Sequence, residues 1–159
     1  MEHVTIPIDF TVGLQKFQLM LNERAFPSAE TAWDRDFIRA SVNVDTGTFS
    51  GSYVLLLGAH ELVNLHILLQ KLWQEFGRAS HASFRLREET LHIVFDITKL
   101  GIIRLTVRAQ PDITIETFLQ FVFEAEYNSI KVWIATLEKA LRQFPPSITI
   151  RPSNPLQVG

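Results

Sequence analysis

Three stretches of the chain carry residue types that catalysis uses. His60-Glu61-Leu62-Val63-Asn64 begins like a zinc-protease helix, where two histidines one turn apart hold the metal and the glutamate acts as base. Asn64 stands where the second histidine is required, so a metal would lose half of its helix-borne ligand pair. Glu61 reads instead as an acid at the positive end of a helix. Gly47-Thr48-Phe49-Ser50-Gly51 holds a serine between glycines, but the spacing is not that of a nucleophile elbow and the segment lies between strand-like stretches. The histidines (His3, His60, His66, His81, His92) form no i, i+4 pair and no H-x-H. The seven glycines are scattered, and none form a phosphate-cradling loop. No catalytic, metal-ligating or cofactor-binding residue is assigned, and the chain is expected not to be an enzyme.

A second kind of site follows from strand register. If Phe95 faces Leu105 and Ile93 faces Val107, as matched apolar faces require, Asp96 falls opposite Arg104 and His92 opposite Arg108. Setting Leu86 opposite Leu91 then puts Arg85 beside His92. The row Arg85–His92–Arg108 could hold a carboxylate or phosphate, with the two arginines pushing His92 toward its neutral form. The plainer alternative is a solvated face of cross-strand pairs, each worth a few tenths of a kcal/mol. The carboxylates Glu88 and Glu89 fit a hairpin tip, and Glu124 and Glu126 the polar side of a strand end, without the pairing that acid–base work needs.

The elements that would position these residues are legible from periodicity. Leu62, Leu65, Leu69, Leu72, Trp73 and Phe76 recur at steps of three and four, predicting a helix over about 60–77 that stops at Gly77. Ile130, Trp133, Ile134, Leu137 and Leu141 predict a second over about 127–144, ended by Pro145-Pro146. Most of the remainder alternates with period two: Val4 to Phe10, Phe17 to Leu21, Ile38 to Val44, Tyr53 to Leu57, Phe84 to Leu86, Leu91 to Ile97, Ile103 to Ala109, and a longer strand from Ile115 to Phe123. Short polar connections favour antiparallel neighbours. The expected fold is α+β, a largely antiparallel sheet of about eight strands carrying two packed amphipathic helices. The pattern of strands, helix, strands, helix hints at duplication, though no repeat of residues supports it. Phe118 and Val122 lie on the supposedly wet side of the last strand, so cover is expected there, from the chain itself or from a partner. A single domain over 1–145 followed by an extended tail over 146–159 is expected.

Bulk composition narrows the classes. The chain has 159 residues, 47% hydrophobic and 20% charged, enough to bury a core. A formal charge of −2 gives no footprint for nucleic acid, and no partner of that kind is expected. The absence of cysteine removes disulfides and thiol chemistry. The start MEHVTIPIDF does not read as a signal peptide, and no apolar run approaches the roughly 20 residues that span a membrane. A cytoplasmic protein with no membrane partner is expected; oligomeric state is not set by the sequence.

Several short segments in fixed order carry a resemblance. They are Phe26-Pro27, then Trp33-Asp34-Arg35-Asp36-Phe37-Ile38, then Gly47-Thr48-Phe49-Ser50-Gly51, then a helix opening on Glu61-Leu62, and later "LGIIRLTV" and "LEKALRQFP". Over roughly residues 14 to 145 this resembles the bacterial family of WapI-like immunity proteins, which protect cells from contact-delivered toxins of the WapA type. His60 stands where that family usually has an aspartate able to cap the helix, and Phe37 replaces a common tryptophan. The resemblance implies a non-catalytic protein-binding module that neutralises a cognate protein toxin by occlusion. Partner-binding candidates are Asp34, Arg35, Asp36, Glu88 and Glu89; with Glu30 and Asp45 these acids would suit a basic nuclease toxin. The competing class is a small-molecule or anion-binding domain using Arg85, His92 and Arg108. Trp33 has two readings: a plug under the sheet edge with Asp34 or Asp36 bonding loop amides, or an exposed Trp–Arg anchor for a partner.

Overall fold

The computed structural model describes residues 4–147. Its first half runs β1 (Ile6–Asp9), β2 (Lys16–Arg24), a single helical turn α1 (Ala32–Arg35), β3 (Phe37–Asp45), β4 (Ser50–Gly58) and α2 (Ala59–Gln74). The second half runs β5 (Ser80–Arg85), β6 (Leu91–Ile97), β7 (Ile102–Ala109), β8 (Leu119–Glu126) and α3 (Ser129–Gln143). Each half is a four-stranded antiparallel meander followed by a helix, so the strands form two sheets, β1-β2-β3-β4 and β5-β6-β7-β8. The α+β class and antiparallel pairing agree with the sequence reading. The division into two sheets is the new element. Strands on either side of α2 do not pair, because the helix carries the chain away from the β4 edge before β5 starts. The expected tail falls almost wholly outside the described residues.

Period two explains the core. Phe17, Leu19 and Leu21 of β2, Ile38, Ala40, Val42 and Val44 of β3, and Leu55 and Leu57 of β4 are all buried on one face. The second sheet does the same with Ile93, Phe95 and Ile97 against Ile103, Leu105 and Val107. Helix α2 buries Leu62, Leu65, Leu69 and Leu72, and α3 buries Ile130, Trp133, Leu137 and Ala140, one stripe each. Trp133 joins the halves: its ring lies 5.0 Å from Phe10 and 6.3 Å from Phe95. The Tyr127 hydroxyl lies against the carbonyls of Leu72 and Trp73 and so satisfies the last turn of α2.

Two expectations are corrected. The last strand begins at Leu119 rather than Ile115. Before it, the Asp112 carboxylate accepts the Thr114 N–H (2.9 Å) and hydroxyl (2.6 Å), and Gln110 donates to the Ile115 carbonyl (3.2 Å). That turn withdraws the backbone from the ladder. Cover of Phe118 and Val122 by the chain's own elements is also not found: they are 46% and 42% exposed, and Phe118 is met by the Arg108 side chain rather than by a helix or sheet.

Candidate functional site

Trp33 stands in α1, the one turn between β2 and β3. Thr31 caps it: its hydroxyl accepts the Asp34 N–H (3.1 Å) and donates to the Asp34 carboxylate (2.7 Å). The Arg35 guanidinium donates to the carbonyls of Ala29 and Glu30, 2.9 Å each, and closes the preceding loop. Asp36 is 2% exposed. Its two oxygens accept the Ser147 N–H at 3.0 and 2.9 Å, and Arg24 lies 3.5 Å away while also donating to the Pro145 carbonyl at 2.6 Å. Asp36 therefore fastens the stretch after α3 onto α1, and Arg35 orders a loop. Of that charged run, Asp34 faces solvent.

The Trp33 ring is half-buried. It stacks on His60 at 4.6 Å and 29°, meets Phe37 edge-on at 6.4 Å, and has the Arg87 guanidinium 5.6 Å from its centre. It is neither a fully covered plug nor a free anchor, but one layer of a Trp–His–Arg cluster. Gly58 permits this, since a Cβ there would collide with the His60 ring.

Arg87 reaches Trp33 because the β5–β6 turn is tied down from both sides. Glu61, 7% exposed, accepts the Gly58 N–H (2.8 Å) with one oxygen and the Arg87 N–H (2.7 Å) with the other. Its carboxylate thus closes the first turn of α2 and grips a hairpin of the other half. Across the turn, the Tyr53 hydroxyl donates to the Thr90 carbonyl (2.7 Å), and burial raises its pKa. Glu88 and Glu89 ride exposed on this fixed turn, Glu89 in the left-handed region at φ 58°. Asp34, Trp33, His60, Arg87 and Glu88 consequently belong to one region of surface, contributed by α1, the start of α2 and the β5–β6 turn.

The arginine row is formed in the register read from the sequence: Arg85 is opposite His92, and His92 opposite Arg108. Partial burial lowers the pKa of His92, and the charges of Arg85 and Arg108 add to the effect. Arg85 lies 3.7 Å from Glu89, a long contact between two exposed groups. The Arg108 guanidinium sits 3.8 Å from the centre of the Phe118 ring. Asp96 stands opposite Arg104, but its carboxylate pairs with His81 at 2.5 Å.

Sequence reasoning missed the second bond of Glu61, the placement of Arg87 and the Phe118 platform. The Glu61-Leu62 helix opening pointed to the first turn of α2, but nothing local pointed to the hairpin. Among the described residues, no group of three or more His, Asp or Glu side chains comes together to hold a metal. No helix of the described residues is long and apolar enough to cross a membrane.

Two antiparallel meanders, each closed by a helix, with a rigid polar cluster where the halves meet, define a compact α+β scaffold. The chain belongs to the immunity protein WapI-like family, whose model matches residues 10–145. No match was found among curated proteins. Among solved structures, the chain is similar to a guide-RNA-binding protein complex bound to a gRNA (12% identity, 87% of this chain and 91% of that chain, TM-score 0.48). It is also similar to MRP1/MRP2 of Trypanosoma brucei (12%, 90% and 86%, 0.46) and to the plant transcriptional regulator PBF-2 (12%, 93% and 92%, 0.45). At that similarity these three carry no functional information for this chain.

Proposed function

We propose that this chain is a cytoplasmic immunity protein that binds a cognate protein toxin and neutralises it by occlusion, without catalysis. The observation that carries the reading is the family match over residues 10–145. The surface we assign to the toxin is formed by α1 and the β5–β6 turn: Trp33 and Arg87 at its centre, Asp34, Glu88 and Glu89 around them. The combination suits a protein interface. Tryptophan and arginine are favoured anchors, and a turn held by Glu61 and Tyr53 loses little entropy on binding. The exposed carboxylates suit a basic partner such as a nuclease. Asp36, buried beneath α1, and Arg35, which orders the preceding loop, support this surface from below.

The test is co-expression with a candidate toxin domain, followed by purification of the complex. Growth rescue with intact toxin recovered after dissociation is the expected result. Charge reversal at the exposed positions, Asp34→Lys with Glu88→Lys, is expected to weaken the complex by about 10- to 100-fold, less at high salt. Failure of the unaltered chain to rescue, or recovery of covalently altered toxin, would overturn the proposal.

A further inference from the structure

The outer face of the second sheet is charge-compensated at one end and not at the other. One cross-strand row reads His81, Asp96, Arg104, Glu124, with basic and acidic residues mixed and a His81–Asp96 pair within it. Four residues along β5 the row reads Arg85, His92, Arg108, Gln120, with no acid in it. Among the described residues, Glu89, from the adjoining turn, is the one acid that lines this end: two guanidiniums stand against one carboxylate. Arg108 is half-buried and spread over the Phe118 ring, which holds a guanidinium without using any of its N–H groups. Among the described residues, no hydrogen-bond acceptor or ion-pair partner takes up Arg108, and neither ring nitrogen of His92 has a partner. Arg85, Glu89, His92, Arg108 and Gln110 line a cavity of about 210 Å³ there.

The geometry points to an oxyanion site in this cavity, built for a phosphate group and adjoining the toxin-facing surface, with which it shares Glu89. Arg85 and Arg108 lie on strands flanking β6, so their backbones are about 10 Å apart, two strand spacings. Two guanidinium forks at that separation can close from opposite sides on a group between them. A carboxylate offers two oxygens in one plane and satisfies one fork. A phosphate offers three or more in a tetrahedral array and can serve both forks and the His92 N–H together. The cavity exceeds the roughly 30 Å³ of a single water several-fold and admits such a group with some of its hydration. Glu89 opposes binding through Arg85, so the site is attenuated by its own turn.

The experiment titrates inorganic phosphate into the full chain at constant ionic strength, read by calorimetry and by amide resonances. Saturable binding with shifts centred on Arg85, His92 and Arg108 is expected. Arg108→Ala is expected to weaken it at least about tenfold, and Arg108→Lys, which keeps the charge and loses the fork, by a similar factor. Arg104→Ala, on the same face in the compensated row, should leave it within about twofold, and Glu89→Gln should tighten it severalfold. Acetate should bind more weakly than phosphate. Absence of saturable phosphate binding, equal losses at Arg104 and Arg108, or full retention in Arg108→Lys would each overturn the site. Acetate binding as tightly as phosphate would overturn its tetrahedral selectivity.

Discussion

Replacing Glu61 tests how the two halves are joined. Its carboxylate is buried and accepts two backbone N–H groups, Gly58 at 2.8 Å and Arg87 at 2.7 Å. A hydrogen bond to a charged acceptor contributes about 1.5–3 kcal/mol, and a buried donor left unsatisfied costs about 1–3 kcal/mol. Gly58 is buried, so its N–H finds no ready substitute in Glu61→Ala; Arg87 is exposed, and water recovers part of that bond. The expected loss for Glu61→Ala is therefore about 3–4 kcal/mol, a large share of the 5–15 kcal/mol typical of a domain. Glu61→Gln keeps one acceptor oxygen but turns an NH2 toward the other N–H, and should lose about 2–3 kcal/mol. Denaturant unfolding at neutral pH measures both, and hydrogen exchange should show the Gly58 and Arg87 amides losing protection together. A cost below about 1 kcal/mol for Glu61→Ala, or a Gln variant matching the parent, would refute the bridging role.

The remaining perturbations probe other joints. Trp133→Ala removes a buried ring touching Phe10 and Phe95 and should cost about 3–5 kcal/mol in the same unfolding assay. Gly58→Ala places a Cβ against the His60 ring and should displace it from Trp33, shifting the Trp33 indole N–H resonance and costing about 1 kcal/mol. His92 has a folded pKa lowered by burial and then by Arg85 and Arg108. As pH falls through its ordinary value of 6.5, the unfolded chain takes up this proton before the folded one, so stability falls from there down to the lower folded value. Across that window the unfolding midpoint of the parent should fall relative to that of His92→Gln as the pH drops; parallel curves would contradict the assigned direction.

Much of the scaffold was legible because the information is local. The β5–β6–β7 register followed from matching buried faces: a slip of one residue would turn Ile93 and Phe95 to water, leaving one pairing acceptable. That argument alone places Arg85, His92 and Arg108 side by side. Helix α3 stops at Gln143, just ahead of Pro145, as the sequence required. The start of the last strand was read too early because Ile115 extends the alternation of Leu119, Phe121 and Phe123, whereas Asp112 and Thr114 bond locally just before it and turn the chain.

The sequence by itself determined most of the residues that face the core, though not Val4 and Phe76, which are exposed, together with the β5–β6–β7 register, the two long helices and, through the order of its short segments, the family. Tertiary structure decided the rest. It divided the strands into two sheets, because a period of two reports the faces of a strand and not which edge stays unpaired. It buried Asp36 and left Asp34 in water, two residues apart in the same charged run, because the partners of Asp36 are Arg24 and the distant Ser147. It gave Glu61 a bond to Arg87, 26 residues away, and laid Arg108 on Phe118. Periodicity records what each segment buries. Which distant group meets a given carboxylate or guanidinium is fixed only when the packed halves bring them within hydrogen-bonding reach.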